Sequence, residues 1–413
     1  MTSTLRTRTA LVTVMAVAAT LSAVPVAAAD SASDQCTFSK SNHKYAGTPW
    51  SLQRVNLDEL WSQSKGRNVK VAVIDTGVDT ANPQLTHAVA PALGNNFLPR
   101  KDGKGEPIDR GNDKGTTDTV GHGTRVAGII AARPMKGTGF VGLAPEATIV
   151  PIKQNDAEGH GTAGTLAQAI RYAIRVKAGV INISQDTANA IAPDEDLHRA
   201  VDEALRAGIV VVASAGNDGV DGNEKKTYPA SYDGVLAVAA SDRNNERAAF
   251  SQSGDFVGVA APGVDMISTV PKGGHCPDNG TSFSAPFVAG VAALIKAKHG
   301  DWTPREIVAQ IEQTAERSIA GHDIRVGWGV VDPVRALTED DHPIESPRPD
   351  AGLTHAEAPT PATLTLGETP QERTARIATY VAIGVAVLVA GLGGGAVALR
   401  DARRRRRGRM RVG

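Results

Sequence analysis

Three short blocks of this 413-residue chain set reactive side chains beside glycines. In Val73-Ile74-Asp75-Thr76-Gly77-Val78-Asp79 an apolar run delivers the carboxylate of Asp75 directly into a glycine-containing turn. Open parallel sheets collect functional groups where their strands end at the carboxyl side. Asp75 is therefore a candidate to orient a base, and equally an ordinary turn residue when taken alone. The second block, Gly121-His122-Gly123-Thr124-Arg125-Val126-Ala127-Gly128, puts an imidazole between two glycines at the mouth of a helix. Glycines allow close backbone approach and leave the ring reachable, and no neighbours stand at metal-ligand spacing, so proton transfer is expected with no metal site and no cofactor. The third block, Asn279-Gly280-Thr281-Ser282-Phe283-Ser284-Ala285-Pro286, starts a small-residue helix. A Ser there is usually an N-cap. The same place faces its hydroxyl to the positive end of the helix dipole, which suits a nucleophile whose attack creates negative charge.

The elements that must position these groups follow from periodicity. Residues 69–74, 147–152, 180–183, 209–213 and 235–239 are short Val/Ile-rich or Ala/Val-rich runs, as strands buried on both faces are. Residues 166–176, 197–207, 283–298 and 304–314 carry helical spacing, with Gly179, Gly208 and Gly300 expected near helix ends. The alternation predicts an α/β fold with a mostly parallel sheet flanked by helices, between about residues 49 and 337. Residues 96–119, rich in Gly, Asp and Lys, read as a surface loop.

Taken together, the order Asp, His, Ser with these flanks resembles the subtilisin-like serine proteases over about residues 49–337. The resemblance implies that Asp75 orients the imidazole, His122 acts as general base and then acid, and Ser282 attacks a scissile carbonyl. The block Ala213-Ser214-Ala215-Gly216-Asn217-Asp218-Gly219 is similar to the segment that supplies the family's oxyanion-hole amide. Asn217 and the backbone N–H of Ser282 are implied donors. Glu158-Gly159-His160-Gly161-Thr162 resembles the family's edge strand for extended substrate, giving Gly159 and Gly161 as substrate-binding positions. Asn182-Ile183-Ser184 resembles the facing strand, with Ser184 in contact with substrate. Here the chain continues Gln185-Asp186, where the family commonly has an apolar residue and Gly. The preference for the residue at the cleaved bond stays open: Asp186 either favours a basic side chain or is a solvated loop acid.

Composition and chain ends set the context. With 41% hydrophobic and 21% charged residues the chain is neither disordered nor a coiled coil. Residues 400–413 carry eight Arg and one Asp, and residues 1–29 two Arg and no acid; since the whole chain is neutral, the body between them has a net charge of −9. That sign disfavours nucleic acid as a partner. Arg6 and Arg8, an apolar stretch and Ala27-Ala28-Ala29-Asp30 predict a signal peptide over residues 1–29, or else an uncleaved anchor. Residues 377–399 hold no charge and would reach about 34 Å as a helix, enough for a bilayer core of about 30 Å. The following arginines place residues 400–413 in the cytoplasm and the catalytic portion outside, as a single-pass type I protein of the cell membrane. Residues 341–376 read as a Pro-rich linker. Cys36 and Cys276, both in the exterior portion, are expected to form one disulfide across 240 residues, worth up to roughly 5 kcal/mol in the chain-entropy picture.

Only residues 30–48 separate the signal peptide from the peptidase portion at 49–340, too few for a separately folded chaperone domain. With the linker, span and basic tail, this architecture resembles the mycosins, membrane-anchored subtilisin-like proteases associated with type VII secretion systems. The resemblance implies secreted protein substrates and a type VII secretion membrane complex as partners. A mainly structural role in such a complex, or a tethered protease unrelated to it, are the alternatives.

Overall fold

The computed structural model describes residues 44–157, 160–184, 193–220, 222, 225–350 and 367–409, without side chains for 406–409. The chain divides into two compact units, Met1–Gly352 and Leu353–Gly413. In the first, the elements run α1 (Trp50–Gln53), α2 (Leu57–Gln63), β1 (Lys70–Asp75), β2 (Asn95–Asn96), α3 (His122–Ala131), β3 (Thr148–Lys153), α4 (Ala163–Arg175), β4 (Val180–Ile183), α5 (Glu195–Arg206), β5 (Val210–Ser214), β6 (Leu236–Ser241), β7 (Val257–Pro262), β8 (Met266–Thr269), β9 (His275–Asp278), α6 (Thr281–Lys298), α7 (Pro304–Gln313) and α8 (Pro333–Thr338).

Seven strands form one sheet in the order β2-β3-β1-β4-β5-β6-β7, every neighbouring pair parallel. Alternation along each strand divides its side chains between two cores. Val71 and Val73 of β1 and Val210 and Val212 of β5 join the core built on α3 and α6. Ala72 and Ile74, with Val211 and Ala213, join the one under α4 and α5. Because both faces are covered, these strands lack the polar alternation of a half-exposed sheet. Helix α6 is apolar on nearly every side, and its residues from Thr281 to Ile295 are all buried, as expected of a helix that runs through a core rather than over it.

The five expected strands and four expected helices are present to within a few residues at each end. Gly208 ends α5 with φ +81°, whereas after α4 the left-handed residue is Lys177 at +56°, and Gly179 instead leads into β4. Four strands were not foreseen, the first of them the two-residue β2. In β7 (VGVAAP) small residues replace the branched ones that signal a strand, and β8 (MIST) and β9 (HCPD) are too short and polar to stand out. They form a separate antiparallel hairpin, Met266 opposite Asp278 and Thr269 opposite His275. Residues 97–119 are loop, as expected, closed by an isolated bridge between Lys101 and Pro107.

The second unit contains α9 (Pro370–Arg409), of which Pro370–Arg405 is long and apolar enough to cross a membrane. Its Ile377, Val381, Val385, Leu388 and Leu392 are all exposed.

The first described residues are anchored to the body of the first unit. Tyr45 N donates to His275 Nδ1 at 3.1 Å, Thr138 Oγ1 donates to Tyr45 O at 2.7 Å, and Trp50 Nε1 donates to Val264 O at 2.9 Å. His275 Nε2 faces Gln84 Oε1 at 2.6 Å. Accepting at Nδ1 and donating at Nε2 requires a neutral ring. Burial, with Lys44 nearby adding to it, pushes this imidazole from 6.5 down to about 4. A group depressed in the folded state contributes stability that is present above its unfolded value and lost as pH falls toward its folded one. Thermal unfolding should therefore show a midpoint that declines as pH drops from 6.5 toward 4, and His275→Gln, which does not titrate, should flatten the upper part of that decline.

Candidate active site

Asp75 ends β1 with 3% of its surface exposed. Its Oδ1 accepts from Thr76 N at 2.7 Å and lies 2.8 Å from His122 Nδ1. His122 is the first residue of α3, so the orientation of the imidazole depends on how that helix begins. Asp118 governs the start. Its Oδ1 accepts from Thr76 Oγ1 at 2.9 Å and Gly121 N at 2.7 Å; its Oδ2 accepts from Thr124 N at 2.9 Å and Thr124 Oγ1 at 2.5 Å. Thr76 Oγ1 in turn accepts from Gly123 N at 3.0 Å. Gly123 has to be glycine, since a Cβ there would strike the Gly77 carbonyl and press on Asp75. Burial, with Asp75 nearby adding to it and the Gly121 and Thr124 donors opposing it, raises the Asp118 carboxyl above its ordinary value.

Ser282 is 3% exposed in the first turn of α6. Residues on either side of it bind the other candidates. Thr281 N and Thr281 Oγ1 both donate to Asn217 Oδ1 at 3.0 Å, which fixes the Asn217 amide beside the helix start. A Cβ on Gly280 would lie 3.6 Å from Asn217 Nδ2, so the amide nitrogen faces the turn that leads to Ser282. Phe283 packs on the His122 ring, with centroids 5.4 Å apart. Four residues after Ser282, Pro286 lacks the N–H that would bond the Ser282 carbonyl within the helix. No hydrogen bond joins Ser282 Oγ to His122 among the described residues; in the absence of substrate such bonds are often long and tighten only on binding.

The profile of the subtilase family matches residues 66–329. Subtilisin E of Bacillus subtilis (strain 168) is 37% identical over 292 residues, which cover 70% of this chain and 71% of that protein. The chain belongs to the subtilase family. It is a subtilisin-like serine endopeptidase, and this subtilase also resembles Subtilisin Savinase of Lederbergia lenta, at 38% identity over 65% of this chain and 91% of that one. Among solved structures it is similar to MycP1 from the ESX-1 type VII secretion system, with TM-score 0.63, 32% identity, and coverage of 75% of this chain and 91% of that one. The MycP3 protease from the type VII (ESX-3) secretion system gives TM-score 0.61, 32% identity, and coverage of 73% and 90%. MycP1 from Mycobacterium smegmatis gives 0.63, 30%, and 80% and 91%.

The expected substrate-binding positions of the subtilase are only partly within the described residues. Gly159 lies outside the described residues, as do Gln185 and Asp186. Gly161 is described, but residues 154–157 and 160–162 form no strand. Asp156 accepts from His160 N at 3.0 Å and meets His160 Nδ1 at 2.7 Å, and a Thr162–Thr165 capping box then starts α4. Ser184 follows β4 with its side chain buried and its hydroxyl bonded to Asn182 Nδ2 at 2.8 Å. Contact with a substrate there would run through its backbone. No cysteine among the described residues is free, and Cys276 is disulfide-bonded; Cys36 lies outside the described residues.

Sequence reading missed Asp118, Thr281 and Lys153. The last is fully buried at the end of β3, paired in register with Asp75, and its Nζ donates to Thr76 O at 2.7 Å. Its signal was present: a lone cation closing an otherwise apolar strand. Burial lowers its pKa, partly offset by Asp118, Asp156 and Asp75.

Burial disfavours the charged form of His122, but the Asp75 carboxylate outweighs it and holds the imidazole above its usual 6.5. Histidine resonances followed by NMR should show His122 titrating above 6.5 in the wild type. Asp75→Asn removes the raising charge and keeps the burial, so the same resonance should then titrate below 6.5.

Proposed function

We propose that Asp75, His122 and Ser282 are the catalytic triad of this subtilase, with Asn217 and the Ser282 N–H as its oxyanion hole. The reading is carried by one observation: the Asp75–His122 hydrogen bond at the end of β1 faces a helix start whose Thr281 is bonded to Asn217. In this mechanism Ser282 Oγ attacks the scissile carbonyl while His122 Nε2 takes its proton. Asp75 keeps the Nδ1–H tautomer and stabilises the imidazolium. The carbonyl oxygen gains negative charge against Asn217 Nδ2 and the Ser282 N–H, both at the positive end of α6. His122 then gives the proton to the leaving amine, and water repeats the sequence on the acyl-enzyme. Gly159, Gly161 and Ser184 would pair with extended substrate through their backbone.

The enzyme works beside a membrane in this reading. A signal peptide over residues 1–29 exports the chain, residues 377–399 within α9 span the bilayer, and residues 400–413 stay in the cytoplasm. It is a mycosin, cleaving secreted protein substrates of a type VII secretion system and contributing to that membrane complex. One related structure is of MycP1, described as an essential component of the type VII (ESX-1) secretion system, which supports the second role. Cys36 is the partner of Cys276, and their bond keeps the extension of residues 30–48 beside the hairpin that leads to Ser282.

A fluorophosphonate probe should label the wild-type ectodomain and leave Ser282→Ala unlabelled; labelling of that variant would remove Ser282 from its role. In cells, deletion of the gene should stop secretion, whereas Ser282→Ala should leave the complex assembled and its substrate uncut. Equal loss of secretion in both would rule out the separate structural role. Peptide mapping without reductant should recover Cys36 linked to Cys276, and alkylation of both thiols in secreted material would refute the pairing.

A further inference from the structure

The segments that carry His122 and Ser282 are joined by the β8–β9 hairpin. Three side chains fasten it to α3. Arg125 NH1 donates to Asp278 Oδ2 at 2.6 Å, with side chains 3% and 7% exposed. Ser268 Oγ donates to Arg125 O at 2.6 Å, and Thr269 Oγ1 donates to Thr124 O at 2.8 Å. A Cβ on Gly128 would collide with the Ser268 and Thr269 hydroxyls, so a glycine one turn after Thr124 lets the hairpin approach the helix. On the other side, Asp278 Oδ1 accepts from Asn279 N at 2.8 Å, and Asn279 Oδ1 accepts from Asp265 N at 2.7 Å. These bonds close the hairpin at its base, immediately before Gly280 and the start of α6. Arg125 is three residues from His122 and Asp278 is four residues from Ser282.

A buried ion pair contributes little net stability, because taking both charges out of water offsets their attraction. What it does supply is a fixed geometry between the two elements that it joins. We propose that Arg125 and Asp278 are positioning residues for this protease: their buried ion pair sets the placement of the His122 imidazole against Ser282 through the β8–β9 hairpin. The inference rests on the triad reading above. It also makes the pair electrically audible at the imidazole. The charges acting on His122 are Asp75 from β1, Arg125 from its own helix, which lowers its pKa, and Asp278 from β9, which raises it. Asp118 ahead of α3 and Lys153 of β3 stand around Asp75, and α6 presents the uncharged Phe283 ring.

Each single substitution removes one charge of the pair, so the two should act in opposite directions on His122. Asp278→Asn should move the acid limb of the kcat/KM profile to lower pH, and Arg125→Met should move it to higher pH, each by about half a unit or more. A role in folding alone would not separate them. The double variant Arg125→Met/Asp278→Leu leaves no lone buried charge, so it remains informative if the single variants fail to fold. Its kcat should fall roughly ten- to a hundredfold with KM little changed, as expected when a base is misplaced by a fraction of an ångström to an ångström. Acid limbs that move together or stay put, or a double variant with wild-type kcat, would overturn the proposal. Fluorophosphonate labelling lost in Ser282→Ala keeps that failure separate from failure of the triad itself.

Discussion

A carboxylate that ends a strand between two cores has almost no water to solvate it, and the active-site end of this sheet is organised around that fact. Asp75 receives the Thr76 N–H and the His122 ring on one oxygen, while its Oδ2 is buried without a hydrogen-bond partner among the described residues. An incompletely satisfied buried charge is costly unless opposite charge stands nearby. Lys153, itself fully buried, is paired in register one strand away. Asp118, the second acid of the cluster, takes four donors from Thr76, Gly121 and Thr124. The result is a small polar knot at the end of an apolar sheet, and α3 cannot shift without breaking several of its bonds at once.

That knot would be of no use if the opposite half of the site were free to move. Parallel strands with both faces covered leave one place for α6, between the sheet and α3, where every residue from Thr281 to Ile295 is buried. Its N-terminus is held from three directions: Thr281 on Asn217 after β5, Ser284 Oγ donating to Pro262 O at the end of β7, and the hairpin joined to α3. The groups of the proposed triad, from distant parts of the chain, are thus carried on the ends of rigid elements, while the loops supply the connections.

The parts legible in the sequence are those whose physics is local. The Val/Ile-rich strands, the helical spacing of α4 to α7 and the glycines around His122 and Ser282 declare themselves within a few residues. Asn217 was readable only through resemblance, since an Asn after Gly216 looks like any turn until Thr281, 64 residues away, binds it. The Arg125–Asp278 pair joins residues 153 apart and leaves no local trace, because an Arg inside a helical pattern reads as a solvated face. The Asp156–His160 contact spans only four residues, yet the resemblance to an edge strand at this segment gave no sign of it.

Placing the proposed nucleophile on a helix buried along most of its length has a consequence for the survival of the enzyme among its own copies. A protease is always a potential substrate of its neighbours, and cleavage requires a locally unfolded stretch of chain. Ser282 sits in a run of fifteen buried residues on α6, so a molecule open enough to lose that helix loses the proposed nucleophile with it. Damaged copies become prey without remaining predators, and autolysis cannot be driven by the partly unfolded molecules themselves.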